Sequence, residues 1–255
     1  MANRDGAALI LYLTAGHPDL HSSLSLVPEM ARLGDIVEIG IPFSDPVADG
    51  PIIQQSTQDA LANGTTMADS FRVASHTREK SETPIVLLTY YNPVLHHGLE
   101  AFARDSRAAG VDGVICADLP AEEAAPLYRA LTAQGIHLIP MIAPTSTDER
   151  IERACKLGGG FVYCVSRMGV TGLRDAMNRD LPEFLARVRR FTDLPRAVGF
   201  GVSNAEHARA VAGLAEGVII GSALVDLVAR TPAQERLAAA MKFVASIRAG
   251  MATHA

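Results

Sequence analysis

The chain has 255 residues, 48% of them hydrophobic and 20% charged, and a formal net charge of −5. That balance suits a globular protein with a sizeable core and excludes the broad basic field that nucleic acid or an anionic membrane surface would need, so any bound phosphate must be held locally. No stretch approaches the ~20 consecutive apolar residues of a membrane helix, and the first six residues are polar where a secretion signal would be apolar, so a cytoplasmic location is expected.

Short apolar runs recur along the chain, each followed by a turn rich in Gly, Pro or Asp and then by a helical pattern, which is the signature of βα units. Eight strands are predicted: Ala8–Leu13, Ile36–Gly40, Ile85–Tyr90, Gly113–Ala117, His137–Ile142, Phe161–Val165, Arg196–Phe200 and Gly217–Ile220. The helix after the first strand should start near Asp19 to Ser22, and Asp148 should cap the helix after the fifth, because a short polar side chain satisfies an orphaned amide. Pro84 and Pro195 precede the third and seventh strands, where proline ends a helix and favours extended backbone. Eight units of about 32 residues fit a closed (β/α)8 TIM barrel. An open doubly wound sheet is the alternative. The count of eight and the lack of a linker favour one barrel domain over residues 1–255, closed by a C-terminal helix over Ala233–Ala249.

The second strand carries an anomaly. Glu38 lies among Ile36, Val37, Ile39 and Ile41, where ionising a carboxyl without a partner costs several kcal/mol, on the order given for buried charges. It is either half of a structural ion pair with one of the arginines or a reacting group. Eleven residues on, in the loop leaving the same strand, stands Asp49, so both carboxyls can face one pocket at the catalytic rim of a barrel.

Glycines cluster after the last three strands: Gly169-Val170-Thr171-Gly172, Gly199-Phe200-Gly201-Val202-Ser203, and Gly221-Ser222, which opens a helix. Glycine lets backbone amides approach an anion, and barrels often bind phosphate in the loops after strands seven and eight, so a phosphorylated substrate is expected. A dinucleotide reading fails because Asn204 stands where the third glycine of the fingerprint should be.

A Schiff-base mechanism needs a lysine at the C-terminal end of a strand, and Lys80, Lys156 and Lys242, the only lysines, all fall elsewhere. The eight histidines include no HExxH, and no serine lies in GxSxG, so no metal site and no serine nucleophile are expected. Cys116, Cys155 and Cys164 lack metal spacing and read as reduced core residues. What remains is proton transfer by carboxylates.

The stretch from Val37 to Pro51, VEIGIPFSDPVADGP, resembles the signature of the tryptophan synthase α-subunit family. Similar matches are Leu13–Pro18, Tyr90–Pro93, Ala117–Glu123, Ser166–Gly172 and Gly199–Ser203, so the likeness spans nearly the whole chain. It implies a lyase of tryptophan biosynthesis that cleaves indole-3-glycerol phosphate to indole and glyceraldehyde 3-phosphate by a retro-aldol step. Glu38 would move protons at indole C3 and the glycerol hydroxyl, and Asp49 would hold the indole nitrogen. Ile53 and Tyr163 would lie near the ligand, and Thr171, Gly172, Phe200, Gly201, Gly221 and Ser222 around its phosphate and glycerol. Asp45 would help close the site by bonding the Thr171 loop.

The resemblance also implies no cofactor in this chain, a pyridoxal-phosphate β subunit as partner in an α2β2 tetramer, and contact regions near Asp45–Pro46 and Asn92–Pro93. One departure stands out, since the family usually has a short helix before the first strand, and here only a few polar residues precede it. A stand-alone lyase of the same chemistry and a catalytically idle regulatory barrel are the alternatives.

Overall fold

The computed structural model describes residues 6–165, 180–199 and 201–252. Along the chain it forms β1 (Ala8–Thr14), α1 (Leu20–Leu33), β2 (Ile36–Gly40), α2 (Pro51–Ala62), α3 (Met67–Arg78) and β3 (Ile85–Thr89). Next come α4 (Tyr91–His97), α5 (Leu99–Ala108), β4 (Gly113–Cys116), α6 (Ala125–Ala133), β5 (His137–Leu138), β6 (Met141–Ile142) and α7 (Asp148–Leu157). The remainder is β7 (Val162–Val165), α8 (Leu181–Arg189), β8 (Arg196–Gly199), α9 (Ala205–Ala212), β9 (Gly217–Ile220), α10 (Ser222–Arg230) and α11 (Arg236–Met251). The terminal helix therefore runs a little later than the Ala233–Ala249 expected.

Every strand pairing is parallel, in the order β5-β4-β3-β2-β1-β9-β8-β7-β6. The fifth predicted strand, His137–Ile142, is broken into two at Ile139-Pro140, because proline has no amide to give a ladder. The break does not open the barrel. The first half pairs with β4 and the second with β7, while the Ile139 amide donates to Val114 and the Pro140 carbonyl accepts from Tyr163. One extended stretch thus joins both edges of the sheet and closes the (β/α)8 TIM barrel.

Strand residues are buried almost throughout, as expected when helices cover the outer face and side chains fill the interior. Asp19 caps α1 as predicted, its carboxylate accepting the Ser22 amide at 2.7 Å. At α7 the cap is Thr147, and Asp148 is the first helical residue, one position inside the expected boundary. The Asp148 carboxylate instead accepts from Arg187 and Arg190. The three cysteines are free and buried, and among the described residues no helix is long and apolar enough to cross a membrane.

The N-terminal ends of the strands are fastened by one device used three times. An acid just before one strand accepts the first amides of its neighbour and an arginine together. Asp35, before β2, takes the Leu9 amide at 2.8 Å and Arg248 of α11 at 2.6 Å. Asp112, before β4, takes the Ile85 amide at 2.8 Å and Arg78 of α3 at 2.5 Å. Glu216, before β9, takes the Arg196 amide at 2.8 Å and two of that residue's guanidinium nitrogens at 3.0 and 2.5 Å. Amides at a strand's start would otherwise be orphaned, and a charge-assisted bond is stronger than a neutral one.

Arg196 is 9% exposed and also donates to the Leu185 carbonyl at 2.9 Å. Arg196→Ala should cost about 2–4 kcal/mol, the range for breaking a largely buried charged network. Urea unfolding should show a lower midpoint with an unchanged slope, and a midpoint equal to wild type would contradict this account of the staple.

Candidate active site

At the C-terminal ends of the strands the barrel opens into a cavity of about 580 Å3. Its wall includes Tyr12 of β1, Glu38 of β2, Tyr163 of β7, Asp49 and Ile53 after β2, and Gly201, Gly221 and Ser222 beyond the last strands. Register brings the first two together. Tyr12 pairs with Glu38 across β1 and β2, and neighbours in a parallel ladder present their side chains to the same face.

Glu38 is 1% exposed, and neither carboxyl oxygen has a hydrogen-bond partner among the described residues. No arginine is paired with it among them, so no described residue supplies a structural ion pair for its burial. Burial pushes its pKa from 4.5 up to about 8, with the nearby Asp49 charge adding to the effect. At neutral pH Glu38 therefore holds its proton.

Asp49 is treated differently. Burial raises its pKa too, but the Tyr90 hydroxyl donates to its Oδ2 at 2.8 Å and favours the charged form. Tyr90 sits between β3 and α4 and also accepts the Ala48 amide at 3.1 Å, so one phenol clamps two successive loop residues. From the other side Gln54 of α2 donates to the Asp49 carbonyl at 3.0 Å. Pro51 occupies the first turn of α2, where its missing amide costs nothing.

Two glycines make room for the tyrosines. A Cβ on Gly40 would overlap the Tyr12 hydroxyl, and one on Gly199 would overlap that of Tyr163. The Tyr12 hydroxyl lies 3.0 Å from Thr14, whose own hydroxyl lies 2.6 Å from that of Ser56, which donates to the Ile53 carbonyl at 2.8 Å. This chain ties α2, and with it Ile53, to β1. Burial holds both phenols well above their ordinary pKa, so they stay neutral.

At the far end Gly201 turns with φ of +81°, a conformation that side chains resist, and Gly221 precedes the first turn of α10. The Leu224 and Val225 amides donate to the Gly221 carbonyl at 2.9 and 3.1 Å, and the Ser222 and Ala223 amides ahead of them lead the helix, the arrangement that binds anions at helix N-termini. No lysine lines this cavity, and among the described residues no cluster of three His, Cys, Asp or Glu could hold a metal. A second cavity of about 250 Å3, bounded in part by Asp118, Glu122 and Arg150, lies apart from both carboxyls.

Of the residues expected from sequence, Glu38, Asp49, Ile53, Tyr163, Gly201, Gly221 and Ser222 meet in one cavity. Thr171, Gly172 and Phe200 lie outside the described residues. Asp45 is exposed on the rim and accepts from the neighbouring Ser44 hydroxyl at 2.5 Å. Sequence reasoning assigned no role to Tyr12, Tyr90 or Ser203. Tyr12 reads as one more apolar strand residue, and only the register reveals its neighbour. Tyr90 stood within a matched motif, but its reach across 41 residues to Asp49 is a property of the fold.

The family model of the tryptophan synthase alpha chain matches residues 1–253. The chain is 46% identical over 243 residues to the tryptophan synthase alpha chain of Roseiflexus sp. (strain RS-1), covering 94% of this chain and 93% of that one. It is 45% identical over 243 residues to the alpha chain of Caldanaerobacter subterraneus subsp. tengcongensis, covering 94% and 92%. Among solved structures it resembles Mycobacterium tuberculosis tryptophan synthase, with a TM-score of 0.88, 38% identity, and 98% and 94% of the two chains covered. It also resembles a chain of the tryptophan synthase a2b2 complex of Pyrococcus furiosus, with a TM-score of 0.88, 39% identity, and 95% and 98% covered.

The raised pKa of Glu38 has a consequence for stability. Between 4.5 and about 8 the folded protein keeps a proton that the unfolded chain has lost. The contribution of a protonated Glu38 is therefore full below the lower value and is lost as pH rises through the upper one. Glu38→Gln, which cannot ionise, should be more stable than wild type by a margin that grows across this window and levels off above it. Urea midpoints measured from pH 5 to 9 check this, and parallel curves would refute it.

Proposed function

The chain belongs to the tryptophan synthase alpha chain family, and on that premise we propose that Glu38 and Asp49 carry its reaction, the retro-aldol cleavage of indole-3-glycerol phosphate to indole and glyceraldehyde 3-phosphate. The observation that carries the assignment is the contrast between the two carboxyls: Glu38 is buried with no hydrogen-bond partner among the described residues and its pKa is pushed up to about 8, whereas Asp49, also raised by burial, accepts from a phenol that favours its charged form. Protonated Glu38 delivers its proton to C3 of the indole, and the ring becomes an electron sink with positive charge at nitrogen. Asp49 accepts a hydrogen bond from the indole N–H and stabilises that charge. Glu38, now a carboxylate, removes the proton from the glycerol hydroxyl. The oxygen's electrons form the aldehyde carbonyl, the carbon–carbon bond breaks into the ring, and Glu38 is again protonated.

Ile53 and Tyr163 pack the indole, while Gly201, Gly221, Ser222 and the first turn of α10 receive the phosphate, with Thr171, Gly172 and Phe200 completing that end. Asp45 bonds the Thr171 loop when substrate is bound. The reaction needs no cofactor in this chain. Pyridoxal phosphate belongs to the β subunit, with which the protein works as an α2β2 tetramer. The rim that carries Asp45–Pro46 and Asn92–Pro93 also exposes Val47 (79%) and Leu95 (51%), apolar surface suited to that partner. We place the enzyme in the cytoplasm as one catalytic barrel.

Glu38→Gln and Asp49→Asn should each lower indole release by roughly 10²–10⁴-fold, the range for losing a positioned acid or base. Wild-type rates in both variants would overturn the assignment. Added β subunit should raise the wild-type rate. Full activity without it would mark a stand-alone lyase, and no activity under any condition would mark an idle regulatory barrel.

A further inference from the structure

Beside Gly201, the wall of the catalytic cavity also contains Ser203. Its hydroxyl lies 3.1 Å from Nδ1 of His207, in the first turn of α9. The direction of that hydrogen bond follows from its surroundings. Asn204 caps α9, and its Oδ1 accepts the backbone amide of His207 at 2.9 Å. A backbone amide can only donate, so the atom it meets must be the carboxamide oxygen. The nitrogen of the same carboxamide then faces Nε2 of His207, 3.3 Å away. That nitrogen also only donates, so Nε2 must accept, and the neutral ring carries its hydrogen on Nδ1. Nδ1–H therefore donates to Ser203 Oγ. Among the described residues the serine's own hydrogen meets no acceptor, and Ser203 stands on the cavity wall.

We propose that Ser203 donates a hydrogen bond to the phosphate of the substrate and that His207 is its positioning residue. The inference rests on the phosphorylated substrate proposed above and adds a side-chain donor to the backbone amides there. Ser203 shares the wall with Gly201, Gly221 and Ser222, so a phosphomonoester seated at the first turn of α10 has the hydroxyl on the same wall. A hydroxyl whose oxygen already accepts from an imidazole is polarised into a stronger donor. A phosphate, which can only accept, is the chemistry that matches a donor held in one direction. Asn204 does two things through one carboxamide, since it caps the helix and selects the tautomer that frees the serine.

The test uses the complex with its β subunit. Ser203→Ala should raise KM for indole-3-glycerol phosphate roughly tenfold with kcat within about twofold of wild type, as expected for lost binding to a charged group. His207→Ala should do the same to a lesser degree, and Ser203→Ala combined with His207→Ala should be no worse than Ser203→Ala alone. His207→Asn, whose amide can donate from near the Nδ1 position, should recover most of the loss. Isothermal titration with inorganic phosphate should show the same order of affinities without any turnover. Unchanged KM and phosphate affinity in Ser203→Ala would overturn the proposal, as would additive losses in the double variant or a His207→Asn no better than His207→Ala. A wild-type complex that binds phosphate in this order but cleaves no indole-3-glycerol phosphate would instead overturn the function proposed above.

Discussion

A buried carboxyl group with no hydrogen-bond partner among the described residues is the constraint on which the rest of this site depends. Ionising Glu38 where it stands costs free energy that no described neighbour returns, so burial holds it as the acid. A cation beside it would have stabilised the protein and removed the proton. The two phenols nearest it, Tyr12 and Tyr163, are driven the same way by burial and stay neutral. Tyr12 and Tyr163 therefore line the cavity beside Glu38 as neutral groups.

Asp49 differs because of where it hangs. A strand residue is surrounded on all sides by the barrel, whereas a loop residue can be reached by donors from other elements. Tyr90, just after β3, donates to its carboxylate and Gln54 of α2 to its backbone carbonyl, and together they hold the loop in place. Two carboxyls of similar intrinsic strength are thus both raised by burial, and only Asp49 has a hydrogen bond that offsets it, the kind of contrast by which one site can run acid and base steps at one pH.

The two ends of the barrel divide their tasks in the same terms. At the base, Asp35, Asp112 and Glu216 are each matched to an arginine and a strand amide, and burial there leaves their charges satisfied. At the opposite rim, among the described residues, the Glu38 carboxyl has no hydrogen-bond partner and the Ser203 hydroxyl hydrogen meets no acceptor. Stability gathers where every polar group is paired, and chemistry where some are not.

Much was legible in the residues themselves. The alternation of apolar runs with turns and helical stretches determined eight βα units, because strand and helix periods are local properties. Glu38 within Ile36–Gly40 was visible as an anomaly for the same reason, since its flanking residues state its burial. The break at Ile139-Pro140 could be read only as a proline in a predicted strand; that its two halves close the barrel was decided by which strands lay beside them. The cap of α7 fell to Thr147 rather than Asp148 through a one-residue choice of helix start that composition does not contain. Tertiary structure alone decided that Glu38 has no ion-pair partner among the described residues, that Tyr12 is its neighbour, that Tyr90 holds Asp49, and that Ser203, bonded to His207, stands on the cavity wall. Each of these depends on the distance between residues far apart in the chain or on the direction of a hydrogen bond, and neither is carried by local sequence.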